Sequence, residues 1–299
     1  MQKYPYWKTT VFYFETKAKL PELKQFVNYL FSHYFKTEDK LHKKYGHQCP
    51  IFDAITWGGN GHFDFLEFMI DHSPFDFNVT WSWTMTMPRS RRTLYYTPIL
   101  WASKRGNASV VALLIENSKY LSIDLNAGIE NIEAKPANST PLLAACFSGN
   151  VDTVRAFLDN AIEYGIRLVA WIIHRVLPLH AAIILNYHFR RSEYSKRKRR
   201  QRLEIIELLL THPVAKAQTN YNARCGYKQM TALHLACHFR LPKVVELLVS
   251  HAANLQIDLF ARDANEMTAM DLALENEDME TCSKFEAKTM LQNYRNLNE

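Results

Sequence analysis

Glycine is scarce in this chain, 9 residues in 299, less than half the usual share of about 7%. Loops that cradle phosphate through backbone N–H groups therefore have little to be built from. Neither a Walker-type Gly-rich loop nor Gly-x-Ser-x-Gly nor His-Glu-x-x-His occurs. The five cysteines (Cys49, Cys146, Cys225, Cys237, Cys282) are odd in number and scattered, with no Cys-x-x-Cys pair. That argues against a disulfide framework and fits a reducing compartment. No apolar run reaches the roughly 18 to 20 residues of a bilayer span. The best, Ile166 to Leu177, is broken by Arg167, His174 and Arg175, so no transmembrane helix is expected. The first residues, Met1 to Lys8, lack the apolar core of a signal peptide, and the mature chain is expected to begin near Met1. Specialised export routes read elsewhere in a chain are untouched by that reading. With 47% hydrophobic and 22% charged residues, disorder is excluded as the default state.

A general excess of one charge sign is missing too. The net charge is +6, but residues 188 to 202 alone hold eight Arg or Lys and one Glu, a local +7 that leaves the remainder at −1. The basicity belongs to one segment.

What the sequence does have is a phrase that returns. From Thr231 to Ser250 it reads as two short antiparallel helices. Thr231 is positioned as an N-cap, Leu233, Leu235 and Ala236 form one apolar face, and Val244, Val245, Leu247 and Leu248 form the next. One such hairpin cannot bury both faces, so neighbouring copies are needed. They occur at Cys49-Pro50, Thr97-Pro98, Thr140-Pro141, Leu177-Pro178 and Thr268-Ala269, giving six in register. Gly106 and Gly149 are placed for left-handed turns between the two helices. Asn186 can adopt that conformation, and Arg240 and Glu277 are less suited to it.

The pattern Thr-Pro-Leu-His-x-Ala, then Gly, then Val-Val-x-Leu-Leu resembles the ankyrin repeat over roughly residues 49 to 292. The resemblance implies an all-α solenoid of about six helix-turn-helix units with β-hairpin fingers. Residues 1–48, where Leu23, Phe26, Val27, Leu30 and Phe31 recur at helical spacing, are expected to form an N-terminal capping helix. Residues 293–299 are left as a C-terminal tail. Family spacing is about 33 residues, whereas here the second motif positions are separated by 48, 43, 37, 54 and 37. Every repeat carries extra chain, and insertions in such arrays often form the binding face.

Three insertions result. In 79–96, strict alternation sets Val79, Trp81, Trp83, Met85 and Met87 against four Ser or Thr, which predicts a β-hairpin finger tipped by Arg89, Arg91 and Arg92. Its apolar side can pack on neighbouring repeats or anchor a partner. Residues 128–139 read as a polar loop. In 188–202, Lys196, Arg197, Lys198, Arg199, Arg200 and Arg202 either extend an outer helix, signal nuclear import, or bind nucleic acid or anionic lipid.

Catalytic residue sets are not evident at chemical spacing. His234, Cys237 and His238, with Cys225, read as structural rather than as zinc ligands, since in the family the motif histidine braces a turn. A nucleophile assembled from Cys49, His47 and Asp53 would make a cryptic hydrolase, but sequence adjacency does not make a triad. No enzyme, metal or cofactor is expected.

The expected function is protein recognition. The resemblance implies a concave groove formed by finger tips and inner-helix ends, here Thr56 and Trp57, Lys104 and Arg105, Phe147 and Ser148, Ile184 and Leu185, His238 and Phe239, Glu275 and Asn276. With Trp81, Trp83, Arg89, Arg91 and Arg92, the aromatic and basic members are the expected partner contacts. Degenerate repeats and irregular insertions are similar to those of ankyrin effectors of intracellular bacteria. A host protein partner, a monomeric state, and a cytoplasmic or host-cytosolic and nuclear location are the corresponding expectations.

Overall fold

Proline has no N–H to lose at the first position of a helix, and a threonine before it can satisfy a free backbone donor. The proline, the threonine or both start each inner helix of the repeats in the computed structural model, which describes residues 50–57, 60–72, 77–78, 81–87, 90–127, 140–168, 176–188 and 193–285. The expected capping helix in 1–48, the insertion 128–139, and Cys49, His47, Arg89 and the tail 293–299 lie outside the described residues. The chain divides into two compact units, Met1–Pro141 and Leu142–Glu299.

In the first unit, α1 (Pro50–Trp57) and α2 (Asn60–His72) form one helical hairpin, and α3 (Pro98–Arg105) and α4 (Ala108–Glu116) form the next. Thr97 caps α3 by accepting from the Leu100 N–H. Gly106 ends it at φ 69°, the left-handed turn expected there. Asn107 caps α4 through the Val110 N–H and reaches the Ile55 carbonyl of α1 at 3.5 Å, linking successive repeats. Ile51, Phe52, Ile55, Leu66, Ile99, Val111 and Leu114 are buried between the helices. The finger is an antiparallel pair, β1 (Trp81–Met87) and β2 (Ser90–Tyr96), whose register runs from Trp81↔Tyr96 to Met87↔Ser90.

The second unit continues with α5 (Pro141–Ser148), α6 (Val151–Asp159), α7 (Pro178–His188), α8 (Glu193–Thr211), α9 (Pro213–Gln218), α10 (Ala232–His238), α11 (Pro242–Ser250), α12 (Ala252–Leu255), α13 (Ala269–Glu275) and α14, helical over 279–285. Small side chains let its inner helices approach: Ala145, Ala181, Ala182, Ala236 and Ala273 have no exposed surface. The motif histidines tie one repeat to the next finger. His234 Nδ1 sits 2.7 Å from the Thr231 hydroxyl, and its Nε2 lies 3.0 Å from the Met267 carbonyl. His180 accepts from the Leu177 N–H, where no hydroxyl is present to cap the helix, and its Nε2 lies 3.1 Å from the Ala223 carbonyl.

One expectation about the turns is corrected. Asn186 makes no turn; it lies inside α7, which runs on to His188. Arg240 and Glu277 occupy the left-handed turn positions at φ 55° and 54°, a conformation that costs an L-residue about 1–2 kcal/mol. In the basic insertion, residues 193–202 extend the outer helix, one of the readings given for them: α8 has 19 residues where α6 and α11 have 9.

A second link between repeats had no place in the sequence reading. Asn78 Nδ2–H donates to the Ser122 carbonyl, and Asn78 Oδ1 accepts from the Asp124 N–H, both at 2.8 Å. Asn222 does the same with Gln256 and Asp258 at 2.7 Å. Both residues whose carbonyls accept in the turn, Ser122 and Gln256, are left-handed, at φ 53° and 52°. The sequence carries the signal as Ile-Asp-Leu-x-Ala at 123–127 and again at 257–261.

Candidate functional site

Each inner helix ends where its last turn leaves the buried stack, and the side chains there decide what a unit shows to a partner. In the first unit α3 ends on Lys104 and Arg105, both exposed, and cations at a helix C-terminus are favoured by its dipole. They do not hang free. Lys104 Nζ donates to the Tyr96 hydroxyl and stands 4.4 Å from that ring's centroid. It lies 5.7 Å from the Trp101 ring, and the Arg105 guanidinium lies 5.9 Å from the same ring. Tyr96 and Trp101 meet edge to face at 5.1 Å, and both are buried. The Trp101 indole N–H donates to the Thr56 hydroxyl at 2.8 Å, and that hydroxyl donates to the Phe52 carbonyl at 2.6 Å. The end of β2 and the ends of α1 and α3 thus make one fixed aromatic platform under two cations.

The remaining expected contacts of this unit are described by backbone position alone. Trp57 closes α1, Trp81 and Trp83 lie in β1, and Arg91 and Arg92 lie in β2. The register pairs Trp81 with Tyr96, Trp83 with Leu94 and Met85 with Arg92, so these six positions share one face of the ribbon.

In the second unit Phe147, near the end of α5, is 40% exposed. His238 and Phe239, at the end of α10, are half-buried with ring centroids 5.1 Å apart. Burial, with Lys228 adding to it and Glu275 opposing, holds the His238 pKa below its ordinary value. A side chain that sequence reasoning missed stands nearby in the chain: Tyr227, 82% exposed. It sits in a short finger closed by the Cys225↔Met230 bridge, with Gly226 at φ 70° and Gln229 at φ 53°. Gly-Tyr-Lys four residues ahead of the Thr231 cap was the available signal.

The basic set separates by helix face. Lys196, Arg197 and Lys198 occupy the first half of α8. Arg200 is exposed and pairs loosely with Glu204 at 3.7 Å, while Arg199 is half-buried. Arg202 corrects the expectation of an accessible cation: it is 2% exposed, lying where a β-carbon on Gly149 would stand 3.6 Å from its Nε. One turn after Arg199 and one before Ile206, it falls on the buried face of the helix.

Three cysteines of the second unit, Cys146, Cys225 and Cys237, are held as thiols by their environment. Burial pushes the Cys146 thiol up to about 12 and Cys225 up to about 11, and raises Cys237 as well, so thiolate is not the available form. Both ring nitrogens of His234 are engaged by Thr231 and Met267. No group of three or more potential metal ligands occurs among the described residues, and none of the described helices is long and apolar enough to cross a membrane.

Residues 60–168 and 197–286, about two thirds of the chain, match the family of ankyrin repeats (3 copies). The chain belongs to the ankyrin-repeat family. Among curated proteins, B-cell lymphoma 3 protein of Homo sapiens is 28% identical over 142 residues, which are 48% of this chain and 27% of that protein. The chain thus spans about a quarter of the length of the curated relative it matches. Ankyrin repeats are protein–protein interaction modules, typically scaffolds rather than enzymes. The exposed ends of the inner helices described above are therefore the surfaces to ask about.

Proposed function

We propose that the chain binds a partner protein through the exposed ends of its inner helices and its finger tips. Each unit presents its own contacts, Lys104 and Arg105 in the first and Phe147, Tyr227, His238 and Phe239 in the second. The observation that carries this reading is chemical: aromatic and basic side chains stand exposed or half-exposed at positions where the rest of each motif is buried. Such residues supply large contact area or several charge-assisted bonds at interfaces. The test is capture of a partner by the full chain and by a Phe147→Ala, Tyr227→Ala variant. A loss of about tenfold or more, roughly 1.4 kcal/mol, is expected, and undiminished capture contradicts the reading.

We further propose that the protein is an effector delivered by an intracellular bacterium to a host factor, and that the first half of α8 directs it to the nucleus. Degenerate repeats with irregular insertions support the first statement. The dense cations at 196–200, with Arg200 exposed, support the second. Changing Lys196 to Arg200 to glutamine is expected to abolish nuclear accumulation of a tagged chain; unchanged distribution removes the import role. A second reading has one specific observation in its favour. These cations are five consecutive like charges on one helix, and a polyanion, nucleic acid or anionic lipid, would relieve their mutual repulsion. Binding that weakens linearly in logarithmic salt is its signature.

A further inference from the structure

We infer that the end of α3, together with the hairpin face that ends in Tyr96, takes an acidic, extended protein segment whose carboxylates meet Lys104 and Arg105. This rests on the partner-binding reading and adds the partner's chemistry.

Three observations point the same way. The two cations are held in place before any ligand arrives, Lys104 by the Tyr96 hydroxyl and ring and Arg105 over the Trp101 ring. The platform itself is pinned through Thr56. Pre-organisation lowers the ordering cost of binding, and a neutral aromatic partner leaves the positive charge uncancelled for an incoming anion. Next, among the described residues no carboxylate lies within ion-pair distance of either cation, whereas Arg200, Lys284 and His212 each have one. The charge at the end of α3 is thus held ready but unmatched.

The third observation concerns shape. The ribbon face that ends in Tyr96 also carries position Arg92, with Leu94 between them. One cationic position, Arg92, is thus followed by Leu94 and Tyr96 and then by Lys104 and Arg105 at the end of α3, and the complement of that order is an extended segment with acidic residues on either side of apolar ones. A nucleic-acid strand fits less well. Its phosphates repeat without apolar side chains between them, whereas here the positions Leu94 and Tyr96 separate Arg92 from the cations of α3.

The experiment uses the full chain and fluorescence anisotropy with a labelled peptide of alternating glutamate and leucine. Its glutamine-for-glutamate counterpart and a single-stranded oligothymidylate serve as comparison probes. The glutamate peptide is expected to bind. The double variant Lys104→Gln, Arg105→Gln is expected to lose roughly tenfold per cation, about 1.4 kcal/mol each. Lys104→Arg, which keeps the charge, is expected to retain binding. Losing these cation–aromatic contacts should lower the thermal transition by only a few degrees, and a cooperative transition well above the assay temperature separates lost contact from lost fold. Equal binding of the glutamine peptide, unchanged binding by the double variant, or tighter binding of the oligonucleotide overturns the inference. So does retention of a captured protein partner by this double variant when the Phe147→Ala, Tyr227→Ala variant loses it, an outcome that leaves the broader reading standing.

Discussion

His180 does at the scale of one side chain what the array needs at every junction. Its Nδ1 receives the Leu177 N–H of its own helix, and its Nε2 meets the Ala223 carbonyl of the next finger. That arrangement needs the neutral ring with the proton on Nε2. Burial enforces the same state, pushing the His180 pKa down to about 4 against the Ala223 hydrogen bond, which pulls it up. An unfolded chain takes up a proton near pH 6.5 and the folded one resists until about 4. The stabilisation is therefore complete above about pH 6.5 and is lost as the pH falls toward 4, by about 3 kcal/mol in all. Urea unfolding at several pH values should show this decline. His180→Ala should be destabilised at neutral pH by about 2–3 kcal/mol and should show a shallower decline on acidification. An equal pH slope in parent and variant would contradict the assignment. The brace at His234 was legible because the Thr-x-x-His phrase states both cap and ring, and at His180 the ring alone was legible, since Leu177 stands in the place of the threonine. Arg202 was not, because a run of cations reads as equivalent charges until helix periodicity puts one of them four residues before buried Ile206 and seven before buried Leu209.

At the scale of elements, the helical hairpins and the finger at 81–96 were readable, the former from the repeated phrase and the latter from strict alternation of apolar and small polar residues. Less was readable where two local preferences compete. Asn186 can turn left-handed or stay helical, and helix α7 continues through it to His188. Helix α9 went unforeseen although Pro213 marks its first position. Its N-cap, His212, is fastened to Asp159 at 3.1 Å. The asparagine links between repeats were hidden because each is a single side chain acting over more than thirty residues of sequence. Asn222→Ala removes two hydrogen bonds of 2.7 Å and is expected to cost about 1–2 kcal/mol. The denaturation midpoint reports it, and a variant as stable as the parent would make the link incidental.

At the scale of the molecule, six degenerate copies of one unit supply the scaffold, and what is particular to this chain stands on their ends and insertions. The first unit offers a cationic, aromatic-backed surface. The second offers aromatic side chains at Phe147, Tyr227 and Phe239. Protein binding through these positions, rather than through the outer helices, is the central claim. It is tested most directly by placing a photo-reactive amino acid at one position at a time in the full chain. Arg105, Phe147 and Tyr227 represent the proposed surfaces, and the exposed outer-helix residues Glu116 and Thr211 serve as comparison. The account predicts that at least one of the first three crosslinks to a discrete protein in host-cell extract and that the outer-helix positions do not. Crosslinking of that protein from Glu116 or Thr211, with none from Arg105, Phe147 or Tyr227, would contradict it.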